Sequence, residues 1–158
     1  MIYKHTYSSH IGQYTITSDG ENITGLWLNN QKYFPTVLPS EATNLPVFTQ
    51  TKNWLDRYFA GHAPDISELP LAPSGGEFRQ SVWRELCEIP YGKTTSYGAI
   101  AKKIGSQSAQ AVGGAVGHNP ISIIIPCHRV LGIDGQLTGY AGGLDIKIKL
   151  LELECIYQ

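Results

Sequence analysis

The stretch Ile123-Ile124-Ile125-Pro126-Cys127-His128-Arg129-Val130 decides how this chain is read. Three β-branched residues suggest a buried strand that stops at a proline and presents a thiol with an imidazole as its neighbour. The thiolate, not the thiol, is the nucleophile, and a free cysteine is mostly protonated at neutral pH, so a nearby base is what raises its reactivity. A cysteine inside a core is ordinarily inert packing. Cys127 differs in ending the apolar run and in being followed by polar His128 and Arg129.

Outward from that stretch, the second half of the chain reads as helices. Phe78, Val82, Trp83, Leu86 and Ile89 fall at helical spacing, and Pro90-Tyr91-Gly92 ends that segment. Thr95-Ser96 can cap a short helix from Tyr97 to Ile104, closed by Gly105. A further helix from Ala109 to Gly117 stops at Asn119-Pro120. Two short helices around a glycine-containing turn outline a helix-turn-helix, a shape shared with many core helical hairpins. The second helix is unusually bare: Ala109, Ala111, Gly113, Gly114, Ala115 and Gly117 leave one surface almost without side chains. Each interior glycine costs about 1 kcal/mol against alanine, so something must approach that backbone closely. Either a neighbouring helix packs there, or the helix is thin enough to enter a nucleic-acid groove. Beyond the cysteine, Val130-Leu131, an Asp134-Gly135 turn and Leu137-Thr138 predict a small hairpin or wing. A loop at 140–143 and a last helix from Leu144 to about Glu154 follow.

The first half reads as a sheet and a helix. Residues 11–17 alternate, Asp19-Gly20 supplies a turn, and residues 23–28 form the second arm of a hairpin. Phe48, Thr51, Trp54, Leu55, Tyr58 and Phe59 mark the apolar face of a helix over 46–60. Residues 61–76, with Pro64, Pro70, Pro73 and Gly75-Gly76, form the expected linker between a domain at 1–74 and a second at 77–158.

Composition narrows the class. The chain has 158 residues, enough for one domain or two small ones, and a net charge of −1. Residues 1–76 hold four Lys/Arg against six Asp/Glu, and residues 77–158 hold eight against seven. Binding to a polyanion would therefore use few phosphate contacts. Cysteines 87, 127 and 155 are an odd set without a CxxC pair, which fits a reducing compartment and disfavours a disulfide framework or a cysteine-rich zinc site. Met1-Ile2-Tyr3-Lys4 enters alternating structure at once, and no apolar run is long enough to span a bilayer. The expectation is a soluble, cytoplasmic protein with no membrane association.

The Pro126–Val130 motif resembles the active-site signature of the O6-alkylguanine-DNA alkyltransferases, also called methylated-DNA–protein-cysteine methyltransferases. Thr95-Ser96-Tyr97, Ala111-Val112-Gly113-Gly114-Ala115, His118-Asn119-Pro120, Gly139-Tyr140-Ala141-Gly142-Gly143 and Leu150-Leu151-Glu152-Leu153-Glu154 fall at the family's relative spacing. The resemblance is dense over 77–157 and thinner over 1–76. It implies an α+β fold: a small RNase H-like amino-terminal domain, then a winged helix-turn-helix-like domain carrying the cysteine. It also implies irreversible, single-turnover transfer of the alkyl group from O6-alkylguanine, and from O4-alkylthymine, to Cys127. The partner implied is double-stranded DNA, bound through the minor groove by a monomer that flips the damaged nucleotide out of the stack. No cofactor and no metal are expected; zinc in some members uses amino-terminal cysteines that are absent here.

Residue by residue, the resemblance makes Cys127 the acceptor, His128 its base through a water, and Glu154 the group that orients the imidazole. Asn119 becomes a hinge between the groove-binding helix and the reactive segment. Tyr97 would protonate the leaving guanine at N3 and help rotate its phosphate, with Lys147 favouring the ionised phenol. Carbonyls of Cys127 and Val130 would read the exocyclic amine, and the Ala141 N–H would meet O6. Ala111, Gly113, Gly114, Arg129 and Tyr140 complete the expected DNA- and base-binding set. Two positions depart from the family. Gln110 stands where an intercalating arginine is common, which predicts weaker DNA affinity with intact chemistry. Ala141 stands where some members carry serine, which a backbone contact tolerates. The competing readings are a non-enzymatic lesion binder of the alkyltransferase-like type, which lacks the acceptor cysteine, and a helix-turn-helix transcription factor, whose recognition helix needs more base-reading side chains than Gln110. A cysteine hydrolase has no further support in the sequence.

Overall fold

The computed structural model describes residues 1–42, 44–106 and 108–155. It begins with a four-stranded sheet of β1 (Tyr3–Ser9), β2 (Gly12–Ser18), β3 (Ile23–Leu28) and the short β4 (Ser40–Glu41), in the order β3-β2-β1-β4. β1/β2 and β2/β3 are antiparallel, and β4 joins β1 in parallel. β2 is central, so residues 14–18 are buried on both faces. The turn after β2 is held by the Asp19 carboxylate, which accepts from the Glu21 and Asn22 N–H groups. Helix α1 (Pro46–Phe59) starts with proline in its first turn and buries Val47, Phe48, Thr51, Trp54, Leu55 and Tyr58 in one stripe against the sheet.

Residues 61–76 are more than a tether. Asp65 caps a 3-10 turn at Ile66–Glu68, and the chain then hydrogen-bonds to β3 through Ile23 N–H to Pro70 O (2.7 Å) and Ala72 N–H to Ile23 O (2.8 Å). The prolines and glycines break helices there, yet extended backbone still fills a free sheet edge.

Helices α2 (Glu77–Cys87), α3 (Tyr97–Ile104), α4 (Ala109–Gly117) and α5 (Leu144–Leu153) make up the rest. Ser96 caps α3 by accepting from Ala99 N–H, Gly105 ends it in the left-handed conformation, and Ser108 caps α4 by accepting from Ala111 N–H. The indole N–H of buried Trp83 donates to Ala115 O (2.9 Å), fixing α4 on α2. Among the described residues, no helix is long and apolar enough to cross a membrane.

Two expectations fail locally. Residues 123–125 are not a strand. Ile121 makes a single parallel bridge to Leu26 on the edge of β3, and the chain then curls through a turn with Ile123 at φ 70°. Asn119 folds this turn: its Nδ2 donates to Ile121 O and Ile125 O, and its Oδ1 accepts from Ile121 N–H. The three isoleucines are 1–2 % exposed, so burial rather than strand pairing explains the apolar run. A β-branched residue in that conformation costs about 1–3 kcal/mol, which the surrounding packing must offset. The wing is also not a hairpin. β6 (Val130–Leu131) pairs in parallel with β5 (Thr95–Ser96), and the following chain is a 3-10 turn at Ile133–Gly135 and a loop. The buried ammonium of Lys147 donates to Val130 O (2.7 Å) and Thr138 O (3.2 Å) and ties both ends to α5, while Gly132 N–H closes the loop on Gln136 O (2.7 Å).

One core runs through both halves, from Tyr14, Ile16 and Leu26 in the sheet to Val112, Ile121 and Leu150 around the reactive segment. The Cys127 segment is thereby fixed to the amino-terminal sheet as well as to its own helices.

Candidate active site

Cys127 opens a single 3-10 turn, Cys127–Arg129. With three residues per turn, successive side chains radiate in different directions, so the thiol, imidazole and guanidinium of consecutive residues reach separate surroundings. The carboxylate of Glu154, at the end of α5, meets two of them from behind. His128 Nε2 lies 2.6 Å from Glu154 Oε2, and Arg129 donates from Nε to Oε1 (2.8 Å) and from Nη2 to Oε2 (3.1 Å). Gly92 N–H donates to Oε1 (3.1 Å), and the Tyr58 hydroxyl, arriving from α1, donates to Oε2 at 2.5 Å. His128 and Glu154 are 0 % and 3 % exposed. A buried charge survives only when paired and hydrogen-bonded, and Glu154 meets both conditions.

The electrostatics follow from burial and pairing. Desolvation works to raise the Glu154 carboxyl, but the hydrogen bonds of His128 and Arg129 and the charged guanidinium outweigh it and hold it at about 2. Burial lowers His128, against the pull of Glu154, so the imidazole is neutral at physiological pH. With Nε2–H given to Glu154, Nδ1 is the basic nitrogen, and it has no hydrogen-bonding partner among the described residues. Burial also pushes the Cys127 thiol up, although the polar side chains of Asn119 and Tyr140 and the charge of Lys147 oppose it. The resting sulfur is therefore a thiol that needs a base.

In front of this cluster is a cleft of about 750 Å³. Its walls are the start of α3 (Tyr97, Gly98), the bare face of α4 (Gln110, Gly113, Gly114, Gly117), the 138–141 loop and, from the first half, Lys32 and Tyr33. Cys127, 6 % exposed, does not line the cleft itself; Tyr140 lines it, and its hydroxyl works to lower the thiol pKa. A Cβ at Gly114 or Gly117 would meet nothing within 4 Å, and one at Gly113 would make ordinary contact with the Tyr97 ring at 3.8 Å. No neighbouring helix explains these glycines; their face is open.

The expected residues divide accordingly. Cys127, His128, Glu154, Asn119 and Lys147 converge on the buried side, and Tyr97, Gln110, Gly113, Gly114, Tyr140 and Ala141 on the cleft. Ala111 is exposed on α4 but outside the cleft lining. Arg129 is a correction: its guanidinium is spent on Glu154 and on Ile89 O (2.7 Å), beside the Tyr91 ring, so it braces the interior and does not reach DNA. Val130 O already accepts from Lys147, so a base amine there would share it. The Lys147–Tyr97 pairing is also corrected. Lys147 meets Tyr97 only through Thr138, whose hydroxyl donates to the Tyr97 oxygen (3.2 Å). Burial raises the Tyr97 phenol, so it stands as a neutral donor and not as a phenolate.

Three participants are not evident from sequence. Tyr58 reads as part of a helical stripe, yet a buried tyrosine must find its hydroxyl a partner, and that requirement is the only signal it gives. Tyr14, on β2, is 1 % exposed with its hydroxyl unpaired among the described residues, close enough to Cys127 for a thiolate to hinder its ionisation. Tyr33 stacks on His118 with centroids 3.8 Å apart, while Lys32 N–H donates to Ala141 O (3.0 Å), joining the first half to the cleft mouth.

Comparison with known proteins matches this geometry. Residues 2–73 match the ribonuclease-like domain of 6-O-methylguanine DNA methyltransferase, and residues 77–156 match its DNA-binding domain. The methylated-DNA–protein-cysteine methyltransferase of Haemophilus influenzae is 46 % identical over 98 % of this chain and 87 % of its own. That of Methanosarcina acetivorans is also 46 % identical, over 97 % of this chain and 98 % of its own. The crystal structure of Mycobacterium tuberculosis O6-methylguanine methyltransferase superimposes with a TM-score of 0.85 at 44 % identity, covering 98 % of this chain and 93 % of that one. A structure from the same organism in complex with DNA gives 0.86 at 44 % identity, over 96 % and 92 %. With both halves of the chain matched, it belongs to the 6-O-methylguanine DNA methyltransferase family.

Proposed function

We propose that this protein repairs duplex DNA by moving the alkyl group of O6-alkylguanine, and of O4-alkylthymine, irreversibly onto Cys127. The observation that carries this reading is the turn in which a buried thiol stands beside a neutral imidazole, with Glu154 holding Nε2 and Nδ1 left free. The Cys127 proton passes to His128 Nδ1 through a bridging water as sulfur attacks the alkyl carbon in line with the breaking C–O bond. The electrons of that bond move onto the guanine ring, and Tyr97 donates its proton at N3. Solvent returns a proton to the phenolate, and the charged imidazole loses the thiol's proton. The thioether has no easy leaving route, so each molecule acts once.

Asn119 holds the turn that presents the thiol, and Lys147 favours the developing thiolate. The neutral phenol of Tyr97 supports its role as proton donor. Since α4 offers a face free of side chains beside the cleft, it enters the minor groove, with Gln110 filling the gap left by the flipped nucleotide. The Ala141 N–H meets O6. The protein works as a monomer of an amino-terminal domain at 1–74 and a DNA-binding, alkyl-accepting domain at 77–158. It needs no cofactor, and its three unpaired cysteines fit the cytoplasm. The alkyltransferase-like alternative, recognition without chemistry, is disfavoured by Cys127 itself.

The test is the intact mass of the protein after incubation with a duplex containing O6-methylguanine. One added methylene mass, absent in Cys127→Ser, is expected; an unchanged mass after prolonged incubation with excess lesion would sink the reading. His128 lies below the ordinary imidazole range, so the acid limb of the transfer rate should lie on the acid side of that range.

A further inference from the structure

We infer that Tyr58, supplied by the amino-terminal half, is a positioning residue that sets the basicity of His128 by sharing one oxygen of Glu154. This rests on the proposed role of His128 as the base. The Tyr58 hydroxyl donates to Glu154 Oε2 at 2.5 Å, the same oxygen that faces His128 Nε2 at 2.6 Å, and lies 3.4 Å from that nitrogen. Two donors therefore draw on one oxygen. Charge that Oε2 gives to the phenol is withheld from the imidazole, and a carboxylate so shared stabilises the imidazolium less. The consequence is a base held neutral at physiological pH, ready to accept the thiol's proton.

The surroundings let this contact be isolated. From its own turn, His128 feels the charge of Arg129. Glu154 and Lys147 approach from α5, and Tyr58 from α1. Tyr91, after α2, and Tyr140, in the cleft loop, are the other phenols coupled to this cluster. Of these, only Tyr58 and Arg129 also donate to Oε2, and Arg129 is anchored independently by Oε1 and Ile89 O. The Tyr58 ring packs near Trp54 (5.8 Å), Tyr91 (6.0 Å) and His128 (6.4 Å), so phenylalanine preserves the packing and removes the hydroxyl alone.

The experiment compares wild type, Tyr58→Phe and a protein with 3-fluorotyrosine placed site-specifically at residue 58, whose more acidic phenol donates more strongly. Two quantities are followed against pH: the single-turnover transfer rate on an O6-methylguanine duplex, and the His128 ring signals by NMR. In Tyr58→Phe the His128 titration and the acid limb should move up by about one pH unit, lowering the rate at a fixed acid pH by up to about tenfold. The fluorinated protein should shift both the other way. A loosening of the site by phenylalanine, the mark of a purely structural role, would not produce opposite shifts. Titrations that coincide in all folded proteins, or that move in one direction in both, would overturn the inference; if Tyr58→Phe does not fold, the fluorinated protein decides. Absence of transfer in wild type would instead defeat the proposed function, while the NMR titration still reports on Tyr58.

Discussion

Behind Cys127, a carboxylate shut away from solvent takes hydrogen bonds from Tyr58, Gly92, His128 and Arg129. In front of it, the wall of the cleft is the glycine face of α4 with one exposed glutamine. The first region is dense with mutual constraint, so losing Glu154 or Arg129 strands the other's charge in a medium that cannot solvate it. The second has little to lose, since added side chains meet no protein atoms at Gly114 or Gly117. The contrast separates what the chemistry needs, a fixed proton path, from what recognition needs, an open backbone that a duplex can approach.

Glu154→Gln should break the contrast most severely. It leaves Arg129 and its neighbours without their anion and should destabilise the fold by about 3–5 kcal/mol in urea titration, abolishing rapid transfer in whatever remains folded. A cost near that of a surface substitution would mean the cluster is not the constrained region described.

Acid should reach the same group without mutation. Glu154 is held at about 2 in the fold against the usual 4.5, so its contribution is fully present above the unfolded value and is lost as pH falls from 4.5 towards 2. This amounts to about 3 kcal/mol. His128 adds to the loss, because its lowered folded value means the unfolded chain takes up the proton first as pH falls through the ordinary imidazole range. Urea midpoints measured between pH 7 and pH 3 should drop steadily, and the Glu154→Gln protein should show a flatter profile.

On the open side, Gln110→Arg should tighten binding to a lesion duplex by about threefold to tenfold through an added cation and a planar stacking group, with little change in urea stability. Fluorescence anisotropy on a Cys127→Ser background measures this without turnover; unchanged or weaker affinity would remove Gln110 from the duplex interface. Gly114→Ala sharpens the comparison with the smallest change. The fold should gain about 1 kcal/mol from helix propensity, while lesion-duplex affinity falls because a methyl now stands on the approached face. Gains in both would show that the glycines do not serve DNA contact.

Local signals carried much of this molecule. Ser96, Gly105 and Ser108 bracket α3 and α4 because caps are short-range chemistry between a side chain and the next turn of backbone. The Pro126–Val130 motif located the reactive turn for the same reason. The misreadings share a different origin. Ile123–Ile125 reads as a strand because apolarity reports burial, and only Asn119, reaching across the turn, reveals the actual path. The wing at 130–138 reads as a hairpin, whereas Lys147 ties Val130 O and Thr138 O to α5. Arg129 reads as a DNA contact because a cation beside an active cysteine invites that role; its partner is 25 positions away.

The amino-acid order alone therefore determined the helices with caps, the proposed acceptor cysteine with its neighbouring imidazole, and the bare face of α4, since each depends on neighbours within a few residues. Tertiary structure alone decided which way the protons run. Tyr58 and Glu154 are 96 positions apart and carry no mutual mark in the sequence, yet they meet at one carboxylate oxygen. Burial there keeps the imidazole neutral, and the hydrogen bonds of Arg129 and His128 keep the carboxylate charged against that same burial; both are properties of the packed whole that no local pattern encodes.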